Sequence, residues 1–210
     1  MEHLAILFFA TFSAALMGVV PPGLINMTAA KVSLTKGKAN GILFATGAST
    51  TVVAQAYVAV LISKYLYNNP FVIDILLKIA LVVFGFFAVY FFIVARKNKE
   101  KKFKEVDVSK RGSFLKGMLL ALVNLLPIPY FCGLNAAWKV SGWIKFQLWD
   151  VLTFIIAAGA GTFAMLYMYV VYFDKLQAKS DRFSRYSDYV LSVLMLILVI
   201  ITFIRIFYGE

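Results

Sequence analysis

Charged residues arrive along this chain in clusters, and the stretches between the clusters are almost wholly apolar. From His3 to Ala30 there is no Lys, Arg, Asp or Glu. A run of that length reads as a membrane-crossing helix. The same pattern recurs and predicts spans at Leu4–Ala30, Asn40–Ser63, Phe71–Ala95, Phe114–Ala137, Leu148–Phe173 and Asp188–Tyr208. Between them lie the linker Lys31–Lys38, a turn signal at Asn68-Asn69-Pro70, the long polar segment Arg96–Ser113, the aromatic linker Trp138–Gln147 and a basic loop at Asp174–Ser187.

Two of the spans are interrupted. The first contains Gly18-Val-Val-Pro21-Pro22-Gly23-Leu-Ile-Asn26, and the fourth contains Asn124-Leu-Leu-Pro127-Ile-Pro129. Proline removes an N–H donor and crowds the preceding turn, while glycine loosens the backbone. Carbonyls freed in this way need partners inside a bilayer, so a broken helix survives only against protein or a wet cavity. Substrate sites of transporters are built on such breaks; a plain kink packed against a neighbour is the competing reading. The two interrupted spans also head similar strings. Pro22 is followed seven residues later by Ala29-Ala30-Lys31-Val32-Ser33, and Pro129 by Ala136-Ala137-Trp138-Lys139-Val140-Ser141, with Trp138 inserted. Further on, Gly47-Ala48-Ser49-Thr50 answers Gly159-Ala160-Gly161-Thr162. With three spans in each half, the halves are expected to sit inverted across the membrane. The predicted fold is an all-α integral membrane protein: six transmembrane helices as two inverted three-helix repeats, 1–105 and 106–210, with helices 1 and 4 broken at their proline motifs.

Composition agrees with that reading: the chain is 62% hydrophobic over 210 residues, with a mean hydropathy of +0.85. Soluble domains are roughly 45–50% apolar. The net charge of +11 would suggest a nucleic-acid partner in a soluble protein. Here 16 of the 21 basic residues fall in Lys31–Lys38, Arg96–Ser113 and Asp174–Ser187 or at Lys116, so they mark one face of the membrane rather than a nucleic-acid surface. The positive-inside rule makes that face cytoplasmic and puts both termini outside. Tyr65, Tyr67, Trp138, Trp143 and Trp149 then fall at the outer interface, where aromatic anchors belong. Glu2 and His3 are not the basic start of a cleavable signal peptide. The basic loop 96–113 is read as a solvated topology determinant, with anionic lipid as a further partner.

Few side chains in the spans carry chemistry. Asn26, Thr28, Gln55, Asn124 and Asn135 are the deep polar residues; buried amides either glue helices together or line a pathway. Asn26 and Asn124 are the stronger site candidates because each adjoins a break. Around them Pro21, Pro22, Gly23, Pro127 and Pro129 shape the breaks, and Gly47 and Gly159 mark small-residue faces that pack against them. Half-helix ends offer N–H donors at one terminus and carbonyls at the other, which suits a zwitterion where span centres carry no fixed charge. Asp74 and Lys78 are spaced to pair. Asp150 is a candidate ion-coupling carboxylate or a solvated interfacial charge, with Lys145 and Lys139 within reach. His3 reads as a bland terminal residue. The single cysteine, Cys132, excludes an internal disulfide, and no Cys/His metal cluster, nucleophile–base set, Walker A loop or dinucleotide fingerprint is visible. No catalytic role, cofactor or metal is expected.

Together, Pro21-Pro22-Gly23 late in span 1, Lys36-Gly-Lys38-Ala-Asn-Gly41 leading to Gly47, and Asn124-Leu-Leu-Pro127 in span 4 resemble the LysE/RhtB family of amino-acid exporters across nearly the whole chain. The chain has Pro-Pro-Gly where that family usually has Pro-Gly-Pro, and two leucines separate its Asn and Pro. The resemblance implies secondary export of amino acids, neutral or basic, across the bacterial inner membrane, driven by the proton or ion gradient. It also implies inverted repeats and a homodimer. The alternatives are a non-transporting membrane scaffold or accessory protein, or an exporter of another small solute or a metal cation. Scarce acidic, Cys and His residues in the spans argue against the metal.

Overall fold

A computed structural model describes residues 2–21, 23–69, 71–72 and 112–208 and scattered positions between 82 and 96, with side chains beyond residue 172 described only here and there. Among the described residues the ordered elements are helices: α1 Glu2–Val19, α2 Leu24–Lys36, α3 Lys38–Asn68, α4 Gly112–Val123, α5 Pro127–Val140 and α6 Leu148–Tyr208. Three of them, over Glu2–Val19, Lys38–Asn68 and Leu148–Tyr172, are long and apolar enough to cross a membrane, and the bent pair α4–α5 makes a fourth.

The helix ends follow from local chemistry. α1 stops at Val19 because a residue before proline is pushed out of the helical region, and Gly23, in extended backbone at φ −128°, starts α2. The predicted linker 31–38 is mostly helix; Gly37 alone separates α2 from α3, at φ +87°, which favours glycine. The second break falls slightly before its prolines. α4 ends at Val123, and Pro127 and Pro129 lie in the first turn of α5, where a missing N–H removes no helical bond. The two helices meet at 68°. One expectation fails outright: the basic loop predicted at Asp174–Ser187 is helical, continuous with the stretches on either side in α6. That segment has no Gly or Pro and is rich in Lys, Leu, Gln, Ala and Arg, all good helix formers. Asp74–Lys78 and nearly all of the 96–113 segment lie outside the described residues.

Two compact units result, 1–64 with 104–177 and 65–103 with 178–210. In the second, Phe86 stacks on Tyr90 with centroids 6.4 Å apart, and Val82, Phe92, Leu196 and Phe203 are exposed. Such apolar exposure suits lipid better than water.

In the first unit, contacts fix helix directions. Ser113 meets Asn40, Thr51 meets the Met118 carbonyl and Cys132 approaches the Ala59 carbonyl, so α3 advances in the same direction as α4 and α5. A Cβ on Gly41 would meet Val170 and one on Gly159 would meet Val53, so α3 runs antiparallel to the start of α6. His3 meets Asp150 and a Cβ on Gly161 would strike the Phe12 carbonyl, so α1 and α6 run parallel. Two larger apolar clusters fill most of this unit, beside a small third around Ala30 and Tyr169. One gathers Leu7, Val52, Ala56, Phe131, Ile144 and Phe154; the other gathers Ala29, Phe44, Ala48, Ala121, Leu166 and Val170.

Candidate functional site

Breaking a helix in an apolar bundle frees backbone carbonyls, and the first question is what they bond to. At the first break the Asn26 amide donates to the carbonyls of Val19 at 2.6 Å and Pro21 at 2.9 Å. The Val20 carbonyl between them accepts from the Tyr169 hydroxyl of α6 at 2.7 Å. At the second break the Gln55 amide of α3 donates to the carbonyls of Ala121 at 3.0 Å and Asn124 at 2.8 Å. Each break is therefore capped from a small-residue helix packed beside it, α6 for the first and α3 for the second. No ionised side chain takes part in these caps.

Asn124, expected to bridge the freed carbonyls, contributes only its side-chain oxygen to the Leu126 N–H at 3.4 Å, and Gln55 does the bridging instead. The donor ends differ too. In α2, Met27 N–H closes the first ladder bond onto Gly23, leaving the N–H groups of Leu24, Ile25 and Asn26 ahead of the ladder. In α5, Pro127 and Pro129 have no N–H, and Ile128 and Tyr130 donate to Leu125 and Leu126.

Antiparallel packing of α3 on α6 puts Gln55 level with about residue 157 of α6, while the first break is level with Tyr169. At 1.5 Å per residue the breaks lie about 18 Å apart along α6. They are joined sideways by Tyr130, whose hydroxyl donates to the Ala14 carbonyl at 2.6 Å and whose ring covers Gly18.

The remaining candidates scatter. Pro21, Gly23 and Pro129 are exposed, Pro127 is half-buried and Pro22 lies outside the described residues. Gly47 and Gly159 are buried at helix contacts, Gly47 against the α4 backbone and Gly159 against Val53. Asp150 is not a solvated interfacial charge. It is 1% exposed and accepts the backbone N–H of Lys145 at 2.7 Å and of Gln147 at 3.4 Å, a carboxylate closing the first turn of α6. Its other oxygen lies 3.1 Å from Nε2 of His3, which is therefore no bystander. Lys145 reaches Asp150 through its backbone, and the Lys139 ammonium sits 5.6 Å over the Phe146 ring. Sequence reasoning had no signal for Tyr169 or Tyr130, two tyrosines among many; Gln55 was visible as a deep polar residue without a role. A hollow lined by Thr51, Leu115, Met118, Leu119 and Leu122 is apolar but for one hydroxyl, already spent on the Gly47 and Met118 carbonyls.

A helical bundle with two interrupted helices, each break capped by neutral side chains, is an architecture on which membrane translocators are built. The family model of the LysE type translocator matches residues 16–204, and the chain belongs to that family. It is thus a multi-pass membrane protein of a transport family. No curated protein and no solved structure matches the chain.

Proposed function

We propose that this protein is a secondary active exporter of amino acids across the bacterial inner membrane, driven by the proton or ion gradient. The reading includes six spans, with 1–105 and 106–210 as inverted repeats and both termini outside, and so requires the chain to reverse within the 174–187 stretch of α6. The observation that carries this reading is the reciprocal capping of the breaks by Gln55 and by Asn26 with Tyr169. An inverted repeat is expected to satisfy its two breaks in corresponding ways, and Gln55 and Tyr169 follow the matching glycines Gly47 and Gly159 by similar distances. The uncharged breaks suit a zwitterion, which needs donors for its carboxylate and acceptors for its ammonium. The α2 N-terminus beside Pro21-Pro22-Gly23 and Asn26 supplies donors; the end of α4 at Asn124, beside Pro127 and Pro129, supplies acceptors. A single amino acid is too short to touch both breaks at once, so it meets them in succession. The His3–Asp150 pair, at the outer end of this arrangement, is the candidate ion-coupling group.

The cellular test is accumulation. In cells lacking other exporters and challenged with amino-acid analogues or dipeptides, expression of the chain lowers the intracellular level of at least one amino acid. Unchanged levels of every amino acid tested, with the protein verified in the membrane, favour the scaffold instead.

A further inference from the structure

The carbonyls freed at the breaks are capped, but several buried side-chain groups have no partner among the described residues, the Gln55 Oε1 and the Ser49 hydroxyl included. Asn135 of α5 is 0% exposed, and among the described residues neither its Nδ2 nor its Oδ1 has a partner. Ser63 of α3, 9% exposed, has its hydroxyl beside the Cys132 thiol. Both lie close to Cys132, Ser63 across the α3–α5 contact and Asn135 along α5. Cys132 Sγ approaches the Ala59 carbonyl at 3.6 Å, which marks where α3 and α5 meet. The Ala59 carbonyl points toward Ser63, which is therefore level with Cys132, and Asn135 stands one turn further along α5.

A buried polar side chain in a native protein is nearly always bonded, and an exception calls for an explanation. Leucine would fill the volume of Asn135 without leaving an amide unpaired. We infer that Asn135 and Ser63 form a binding station for the head group of the transported solute, and that this station takes a net-neutral amino acid. The inference rests on the exporter reading and narrows its substrate class. The asparagine offers an NH2 with two donors and a carbonyl acceptor; the serine hydroxyl both donates and accepts. That set matches a carboxylate and an ammonium carried on one carbon: Nδ2 and the Ser63 hydroxyl meet the carboxylate, and Oδ1 meets the ammonium. Neither residue is ionised, so a solute with net charge would bring in a charge the pair does not neutralise. Around them Phe131 is buried, and Cys132 and Trp138 are partly buried against the same apolar cluster. These offer apolar contact to an apolar side chain rather than to a basic one.

The test is calorimetry on the purified full-length protein with L-leucine and L-lysine as probes, paired with thermal melting. Wild type binds L-leucine more tightly than L-lysine. Asn135→Leu melts no lower than wild type, because it removes an unpaired buried amide, yet binds L-leucine at least tenfold more weakly. Ser63→Ala weakens binding in the same direction, and it decides the matter on the same criterion if Asn135→Leu does not fold. Variants that bind L-leucine as wild type does show that the pair holds water alone and overturn the station while leaving the exporter reading standing. A wild-type preference for L-lysine overturns the neutral-solute assignment. Absence of binding of either probe by wild type overturns the station and the exporter reading together.

Discussion

Two side chains from neighbouring helices decide whether the breaks are tolerable. The Gln55 amide serves two carbonyls of the second break, and the Tyr169 hydroxyl serves one of the first. Removing such a donor leaves buried carbonyls without a partner, at a cost of about 1–3 kcal/mol. Gln55→Leu keeps the bulk and deletes the donors, so it destabilises the purified protein by about that amount in thermal or denaturant unfolding. Thr46→Ala, which removes an exposed hydroxyl bonded within its own helix, leaves stability unchanged. Equal melting of Gln55→Leu and wild type contradicts the capping role. Asn26 was legible as a site residue because it follows Pro21-Pro22-Gly23 directly. Gln55, Tyr169 and His3 were not legible in their roles, since each meets a carbonyl or carboxylate 66 or more residues away. Such pairings come from helix packing, which hydrophobic pattern does not encode.

Helices in this bundle approach through small residues. A Cβ on Gly117 would strike the Phe44 carbonyl, and one on Gly47 would strike the Phe114 carbonyl, so α3 and α4 touch backbone to backbone there. Gly117→Ala forces these helices apart and costs about 1–3 kcal/mol by overpacking. Gly133→Ala sits in open space inside α5 and is neutral or slightly stabilising, because alanine favours the helix. Unfolding of both variants beside wild type checks the contrast; equal stability of the two contradicts close α3–α4 contact. At this scale the sequence was most readable. The Pro-Pro-Gly break, the start of α6 at Leu148 and the glycine-rich faces follow from residue chemistry alone. The second break lay three residues before its first proline, because proline is welcome in a first turn. The 174–187 segment misled because charge was taken as the mark of a loop, although its composition favours helix.

Across the first unit, the alternation of helix directions is what a membrane-crossing chain requires: α1 and α6 run one way, α3, α4 and α5 the other. Breaks at two depths, neutral caps at each, and an unpaired amide at Asn135 form a sequence of uncharged polar positions through an otherwise apolar interior. Such a series fits the chain's place among LysE type translocators. The His3–Asp150 pair holds the starts of α1 and α6 together. The claim on which all of this turns is transport itself. It is tested most directly by radiolabelled amino-acid flux in proteoliposomes of the purified protein, measured with and without an imposed pH gradient. The account predicts flux above protein-free vesicles, accelerated by the gradient. Flux equal to that of empty vesicles for every amino acid under both conditions would contradict it.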